Sequence, residues 1–242
     1  MHRTFLLASV VALGASGAMA ASVPSYDNGQ YNNTGINYGH TADNPAIVTG
    51  KRREGPNTTR FHSFTLFDLS SLAGETVTAA TLTFAAGNGI YESPDASETV
   101  AFWDVTSDLD DLVLQKGSGS PNVSSNWADL SGGTLYGTAT VAGTDGDPMP
   151  EVSAVMNADA VAAINAVLGS PDQRFGIGAG LSTFDLASQA EERLWVSGRS
   201  SALLPAATLE LTLASEVPAV PLPASLPLLA AAVAGAWGLR RR

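Results

Sequence analysis

The stretch Ala207-Thr208-Leu209-Glu210-Leu211-Thr212-Leu213 decides the fold class, because large apolar and polar side chains alternate in it. Successive side chains of a β-strand point to opposite faces, so leucines at every second position predict a strand with one buried face. Alternating or dense apolar and β-branched runs recur at residues 60–69, 76–86, 98–106, 134–141, 174–179 and 193–197. Clusters of Gly, Asn, Asp, Ser and Pro separate these runs. The sequence therefore predicts a mainly β protein, built as a single jelly-roll-like β-sandwich.

One segment has helical spacing instead. Val161, Ile164 and Leu168 recur on one side of a helix, Asn157 is a suitable N-cap, and Gly169 follows the last apolar residue. The pattern predicts one short amphipathic helix that packs against the sandwich, because so short a helix is marginal alone.

Two other segments are interpreted as irregular. Residues 22–44 are rich in Asn, Gly, Tyr and Ser and predict a loop with at most one short strand. The basic triplet Lys51-Arg52-Arg53 is interpreted as a solvated loop.

The N-terminus has the composition of an export signal. A basic start precedes an apolar run at residues 5–13, and Ala18-Met19-Ala20 supplies the small residues of a cleavage site. Residues 1–20 are thus predicted to be a signal helix, removed by cleavage between Ala20 and Ala21. A permanent N-terminal anchor is the alternative.

The C-terminus has three parts in a fixed order. Val220-Pro221-Leu222-Pro223-Ala224 is followed by an uncharged segment at 225–239 and then by Arg240-Arg241-Arg242. As a helix, the residues from Ala224 to 239 would be about 24 Å long, which is marginal against a hydrocarbon core of about 30 Å. The arginines would stop the chain at the cytoplasmic side of the membrane. We therefore expect a β-domain at 21–215 and a tail with a transmembrane helix at 216–242.

The tail resembles the VPLPA variant of the PEP-CTERM sorting domain, on the motif at 220–224, the apolar segment and the arginine end. The resemblance implies recognition by exosortase, a membrane protease-transpeptidase that cuts near the motif. It also implies an inner-membrane-anchored precursor in a Gram-negative bacterium that makes extracellular polysaccharide, with later transfer to the cell surface or extracellular matrix. A plain membrane anchor is the alternative.

The central region resembles the opening of DNRLRE-type domains. The resemblance rests on the run FTLFDLSSL at 64–72, the run VTAATLTF at 77–84 and the later Phe102-Trp103-Asp104-Val105. These domains are jelly rolls similar to carbohydrate-binding modules. The predicted helix departs from their pattern, so no ligand site is carried over.

Composition excludes several classes of protein. The chain of 242 residues has no cysteine, so it can form neither a disulfide nor a thiolate metal site. Its net charge is −11, and removal of both basic ends would leave 8 basic and 23 acidic residues. Such a surface repels nucleic acid, whose binding requires neutralisation of phosphates.

No sequence motif for catalysis is found. The chain lacks a G-x-S-x-G nucleophile elbow and a zinc-binding H-E-x-x-H. Glu92, Asp95, Glu98 and Asp104 could supply the carboxylate pair of a glycosidase, but acidic residues are abundant here. The chain is predicted not to be an enzyme.

Two kinds of binding residue remain. Calcium prefers oxygen ligands, and the candidates are the acidic clusters Asp108, Asp110 and Asp111 and Asp145 and Asp147, although simple solvation of turn acids is the competing explanation. For stacking on sugar rings the candidates are Trp103 and Trp127.

The leading hypothesis is an exported, non-enzymatic surface or matrix protein that associates with extracellular polysaccharide. Its expected transient partners are the export machinery and exosortase, with the membrane as a further partner through the tail. The alternatives are a purely structural surface or biofilm component and a polysaccharide-processing enzyme.

Overall fold

The structure is a computed structural model, and it describes residues 19–34, 46–54, 57–84, 91–114, 120–142, 151–197 and 207–214. Within these ranges Met19–Ala214 forms one compact unit. The strands are β1 (Met19–Asn32), β2 (Ala46–Glu54), β3 (Asn57–Asp68), β4 (Val77–Phe84), β5 (Tyr91–Glu92), β6 (Ser97–Asp104), β7 (Leu135–Ala142), β8 (Val152–Val155), β9 (Arg174–Leu181), β10 (Glu192–Ser197) and β11 (Thr208–Leu213). The helices are α1 (Leu109–Val113), α2 (Val123–Asp129) and α3 (Ala158–Leu168).

The strands pair antiparallel throughout the described ranges. Their order is β5-β10-β2-β3-β1-β11-β4-β8, and a branch runs from β3 through β9 and β6 to β7. The mainly β fold predicted from the sequence is therefore confirmed. The predicted strands at 60–69, 76–86 and 207–213 match β3, β4 and β11 to within a few residues.

β1 is a strand where the sequence predicted a loop. Its first half, Met19 to Pro24, pairs with β11, and its second half pairs with β3 from Ser25 onward. The register is irregular between Ser25 and Asp27, where the strand passes from one partner to the other. The loop prediction was wrong because buried polar residues replace the usual apolar alternation. Gln30, for example, is buried and accepts a hydrogen bond from the backbone N–H of Val48.

The main core lies between β4, β11, β6, β7, β9 and α3. Its members include Phe67, Leu82, Phe102, Phe175 and Leu211, each at most 4% exposed. Alternation along the strands accounts for this: in β11, Leu209, Leu211 and Leu213 are buried and Glu210 is exposed. Burial of each such side chain contributes roughly 1.5–3 kcal/mol relative to its exposure.

α3 confirms the helix predicted from the sequence. Asn157 caps it, since its Oδ1 accepts a hydrogen bond from the N–H of Ala160 at 3.0 Å. Ile164 and Leu168 face the core. Asn165 attaches the helix to β4, because its side-chain amide accepts from Val77 N at 2.8 Å and donates to Val77 O at 2.9 Å.

A second, smaller core lies on the other face of β3 and β9, under α1 and α2. Its members include Tyr31, Phe64, Leu66, Leu112 and Leu130. The prediction of a single helix was therefore wrong. With five and seven residues, α1 and α2 are too short to show a helical period in the sequence.

The two termini lie almost wholly outside the described residues. The sorting motif Val220, Pro221, Leu222, Pro223 and Ala224, the arginines Arg240, Arg241 and Arg242, and Ala18 all fall there. In the part of the chain that the structure describes, no helix is long and apolar enough to cross a membrane. Ala20 and Ala21, which flank the predicted cleavage point, are described and belong to β1.

Candidate functional site

A cleft opens between α1, α3 and the edges of β7 and β9. It encloses about 710 Å³, within the range of about 300–1,000 Å³ that is typical of ligand sites. Its charged lining consists of Asp104, Asp108, Asp110, Asp172 and Arg174. Its apolar lining includes Val105, Leu109, Ala163, Val167 and Phe175. The cleft thus offers hydrogen-bonding groups beside apolar surface.

Arg174 lies in one wall of the cleft and binds two of its carboxylates. Its Nε and Nη2 donate to the two carboxylate oxygens of Asp172 at 2.9 and 2.8 Å, and its Nη1 pairs with Asp110. The hydrogen bond from Arg174 lowers the pKa of Asp172, and the two carboxylates raise the pKa of Arg174. Asp110 remains 77% exposed, so this wall is open to solvent.

The other cleft carboxylates have structural partners. Asp104 accepts a hydrogen bond from Thr134 N at 2.7 Å, which fixes the turn before β7. Asp108 is the N-cap of α1, because its Oδ1 accepts from the N–H groups of Asp110 at 2.8 Å and Asp111 at 3.2 Å. Tyr136, at the edge of the cleft, is 5% exposed, and this burial raises its pKa to about 12.

The calcium prediction for Asp108, Asp110 and Asp111 is not supported by their geometry. Asp108 caps a helix, Asp110 faces Arg174, and Asp111 accepts a hydrogen bond from Asn126 Nδ2 at 3.0 Å. They do not form a group of converging carboxylates, since the one such group of three among the described residues lies elsewhere. Acidic spacing of this kind here reflects N-capping of a short helix. Asp145 and Asp147 lie outside the described residues.

The converging carboxylates belong to Asp95, Glu98 and Glu192, with ligand atoms within 4.8 Å of one another. Glu98 and Glu192 are at most 1% exposed, and Asp95 is exposed. Of the described residues, these three form the one group of three whose carboxylate oxygens lie this close together. Two of them, Asp95 and Glu98, were considered from the sequence only as members of a glycosidase pair.

A lysine already supplies positive charge to this group. Lys51 Nζ lies 3.0 Å from Glu192 Oε1 and also donates to the carbonyl oxygens of Asp185 at 2.5 Å and Ser188 at 3.1 Å. Glu98 accepts hydrogen bonds from the hydroxyls of Ser93 and Thr183. The interpretation of Lys51 as part of a solvated loop was wrong, since Lys51 is in β2 and 1% exposed. No local sequence signal joins residues so far apart in the chain.

Trp103 and Trp127, the predicted sugar-stacking residues, lie near one another. A Cβ placed on Gly180 would lie 3.4 Å from the Trp103 ring and 3.2 Å from His62, and His62 stacks on Trp127 with ring centroids 4.3 Å apart. The guanidinium of Arg60 is 4.9 Å from the Trp127 ring centroid. Trp127 is half-buried, and its ring is stacked against His62 within the protein. Trp103 is half-buried too, so neither ring is freely presented.

No protein-family model matches the sequence, and no curated protein matches it.

Proposed function

We propose that this chain is an exported, exosortase-sorted protein of the cell surface or extracellular matrix, and that it associates with extracellular polysaccharide without catalysis. The amino-acid sequence of the tail carries the first part of the proposal. A VPLPA motif, an apolar segment of marginal length and three arginines follow one another there in this order. The cleft between α1 and α3 supports the second part.

The proposed architecture is a jelly-roll-like β-sandwich. This architecture is supported by two groups of hydrogen-bonded strands, one formed by β1, β11, β4 and β8 and the other centred on β3 and β9. Both groups contribute side chains to one main core. The outer strands β7 and β8 also lie close to each other. A Cβ placed on Gly137 in β7 would be 2.9 Å from the carbonyl oxygen of Val155 in β8. Sheets that pack face to face over one core are the defining feature of a sandwich.

The cleft suits a glycan because sugars are amphipathic. Ring C–H groups pack on apolar side chains, and hydroxyls bond to carboxylates and guanidinium groups, which are the stronger hydrogen-bonding partners. Leu109, Val167 and Phe175 supply the first kind of surface, and Asp110, Asp172 and Arg174 supply the second. With four aspartates and one arginine in its lining, the cleft favours neutral or amino-sugar polymers over anionic ones.

The same geometry supports a non-enzymatic function. A glycosidase needs one carboxyl group whose pKa is raised so that it can donate a proton. In the cleft, Asp172 shows the opposite, because the hydrogen bond from Arg174 lowers its pKa. Asp110 pairs with the same guanidinium.

Polysaccharide pull-down tests the proposal on the processed protein. Dextran, chitosan and alginate represent neutral, amino-sugar and anionic polymers. We expect retention on dextran or chitosan, and a loss of at least about fivefold in affinity for the double variant Asp110→Asn and Asp172→Asn. The control is Glu75→Gln with Glu151→Gln, two exposed acids outside the cleft that change the net charge equally.

Each outcome has a defined meaning. Retention that both double variants weaken equally indicates adsorption by net charge and contradicts a role for the cleft. Absence of retention on all three polymers removes polysaccharide binding and favours a purely structural surface component. Release of reducing ends from any polymer would establish an enzyme.

A further inference from the structure

The predicted signal-cleavage point lies inside a strand pairing. In the register of β1 and β11, Ala20 is opposite Thr212 and Ala21 is opposite Leu211, with Met19 opposite Leu213. The peptide bond between Ala20 and Ala21 is therefore part of an antiparallel ladder in the folded chain.

Side chains also hold this segment in place. Ala21 packs against the main core, Val23 is 7% exposed, and Ser22 Oγ donates to Glu210 Oε1 at 2.7 Å. Their partners in the register of β11, Leu211 and Leu209, are at most 2% exposed. To free the residues on both sides of the Ala20–Ala21 bond, the chain must break these contacts. It must also break the pairing of Met19 with Leu213 and of Ala20 with Thr212.

A protease must bind the residues around the cleaved bond as an extended segment that no other strand occupies. In the folded domain one edge of this segment is taken by β11, and Ala21 faces the core. Cleavage of the folded precursor thus requires local opening, whose free energy slows each cut.

The topology also sets the order of events during export. Among the described residues β1 is the first strand and β11 the last, so their pairing joins residues about 190 positions apart in sequence. β1 cannot dock on β11 until residues 208–213 have emerged with the rest of the domain. The bond after Ala20 is therefore accessible for most of export and protected afterwards.

We infer that the signal is removed before β1 docks on β11, and that docking closes the cleavage site. The inference rests on the proposed export of the chain. Cleavage has a structural consequence too: it removes Met19 and Ala20, the β1 partners of Leu213 and Thr212, at the end of β11 from which the tail continues.

Cleavage of the full-length precursor by a bacterial type I signal peptidase in detergent tests the inference. Three chains are compared, each both folded and denatured: the wild type, a chain with about ten Gly and Ser residues inserted between Ala21 and Ser22, and a chain with the same insertion after Gly74. The first insertion moves the cleavage point out of the ladder. The second lies at an exposed turn and leaves the ladder intact.

We expect the folded wild type and the Gly74 insertion to be cut at least about tenfold more slowly than the Ala21 insertion, because only they must open the ladder first. All three denatured chains should be cut at similar rates. A thermal unfolding transition in each sample shows that the chains compared as folded are folded.

Two results would overturn different claims. Equal cleavage of the folded wild type and the folded Ala21 insertion removes the inference and leaves the export proposal intact. Failure to cut even the denatured chains removes the predicted signal, and with it the export proposal.

Discussion

His62 is a titratable residue whose surroundings fix its charge. It is 7% exposed, it stacks on Trp127, and its Nδ1 donates to the carbonyl oxygen of Trp127 at 2.7 Å. Burial, with the charge of Arg60 in addition, lowers its pKa from 6.5 to about 4. The folded protein therefore keeps this imidazole neutral, because a buried charge would lose its hydration.

The first prediction follows from this lowered pKa. Between pH 6.5 and 4 the unfolded chain binds a proton at His62 and the folded chain does not. The contribution of His62 to stability is therefore full above pH 6.5 and is lost as the pH falls towards 4. The loss from pH 7 to pH 4 should be about 3 kcal/mol from this residue. Urea denaturation across that range measures it. His62→Gln should flatten the pH dependence, and an unchanged slope would contradict the assignment.

The second prediction concerns the buried pair of Lys51 and Glu192. Lys51→Met leaves the buried Glu192 without its cation, so we expect a loss of about 3–5 kcal/mol in the free energy of unfolding. Adding Glu192→Met should recover part of the loss, since both charges are then absent. Chemical denaturation of the single and double variants gives both values.

The exposed ion pair between Arg174 and Asp172 serves as a control for the buried ion pair between Lys51 and Glu192. Asp172 is 59% exposed, so Asp172→Asn should cost less than about 1 kcal/mol. A Lys51→Met variant as stable as Asp172→Asn would show that the buried pair contributes no more than a surface pair.

At the scale of elements, the packing of α1 and α2 on β9 depends on glycines. Gly176, Gly178 and Gly180 alternate along β9 with residues of the main core, so their missing side chains leave room on the opposite face. A Cβ on Gly178 would lie 2.5 Å from the carbonyl oxygen of Leu130 and 2.8 Å from its Cα. The backbone after α2 thus rests directly on the strand.

The third prediction follows from that contact. Gly178→Ala should destabilise the fold by about 1–3 kcal/mol, because backbone atoms must move to admit the methyl group. Gly169→Ala is the matched control, since its Cβ would lie 3.6 Å from the nearest atom, and it should change stability by less than about 0.5 kcal/mol. Chemical denaturation compares them, and hydrogen exchange in α2 should increase only in the first. Equal stability of the two variants would show that the backbone contact at Gly178 adjusts easily.

At the scale of the whole molecule, the main question is the fate of the tail. In the compact unit Met19–Ala214, β1 and β11 lie side by side, and β11 leads directly to the tail at the C-terminus. The motif begins at Val220, a few residues after the last described residue, Ala214. If exosortase acts there, the mature protein is the β-domain with a short proline-rich extension.

The fourth prediction tests this. Intact-mass measurement of the protein from its native envelope should show loss of the chain after about Ala224. A variant with Pro221→Ala and Pro223→Ala should keep the full tail, whereas Pro218→Ala, just before the motif, should be processed normally. A wild-type chain that keeps its tail would favour the plain membrane anchor instead.

Local pattern was sufficient wherever one face of an element is apolar. Leu209, Leu211 and Leu213 predict β11, and Ile164 and Leu168 with the Asn157 cap predict α3, because the periods of strand and helix are properties of the nearby sequence. The same reasoning missed β1, in which polar residues such as Asn28 and Gln30 are buried. It also missed α1 and α2, which are shorter than the pattern needed to reveal them.

Most contacts in the candidate sites could not be predicted from the local sequence pattern. Asp110 and Arg174 are 64 residues apart, and Lys51 and Glu192 are 141 apart, yet each pair is in contact. Asp108 and Asp111, which are close together in sequence, suggested a metal site, but their carboxylates accept hydrogen bonds from different groups. Proximity in sequence is a poor guide to convergence of side chains, since adjacent residues in turns and helices point in different directions.

By itself, the sequence determined the β-rich class, the principal strands and one helix, because hydrophobic period acts over a few residues. It also supplied the signal and tail patterns, which remain predictions about export and sorting. The tertiary structure alone decided the register of β1 against β11, the buried group around Lys51 and the cleft beside Arg174. These features depend on pairing between distant strands, and that pairing is fixed only when the whole core is assembled.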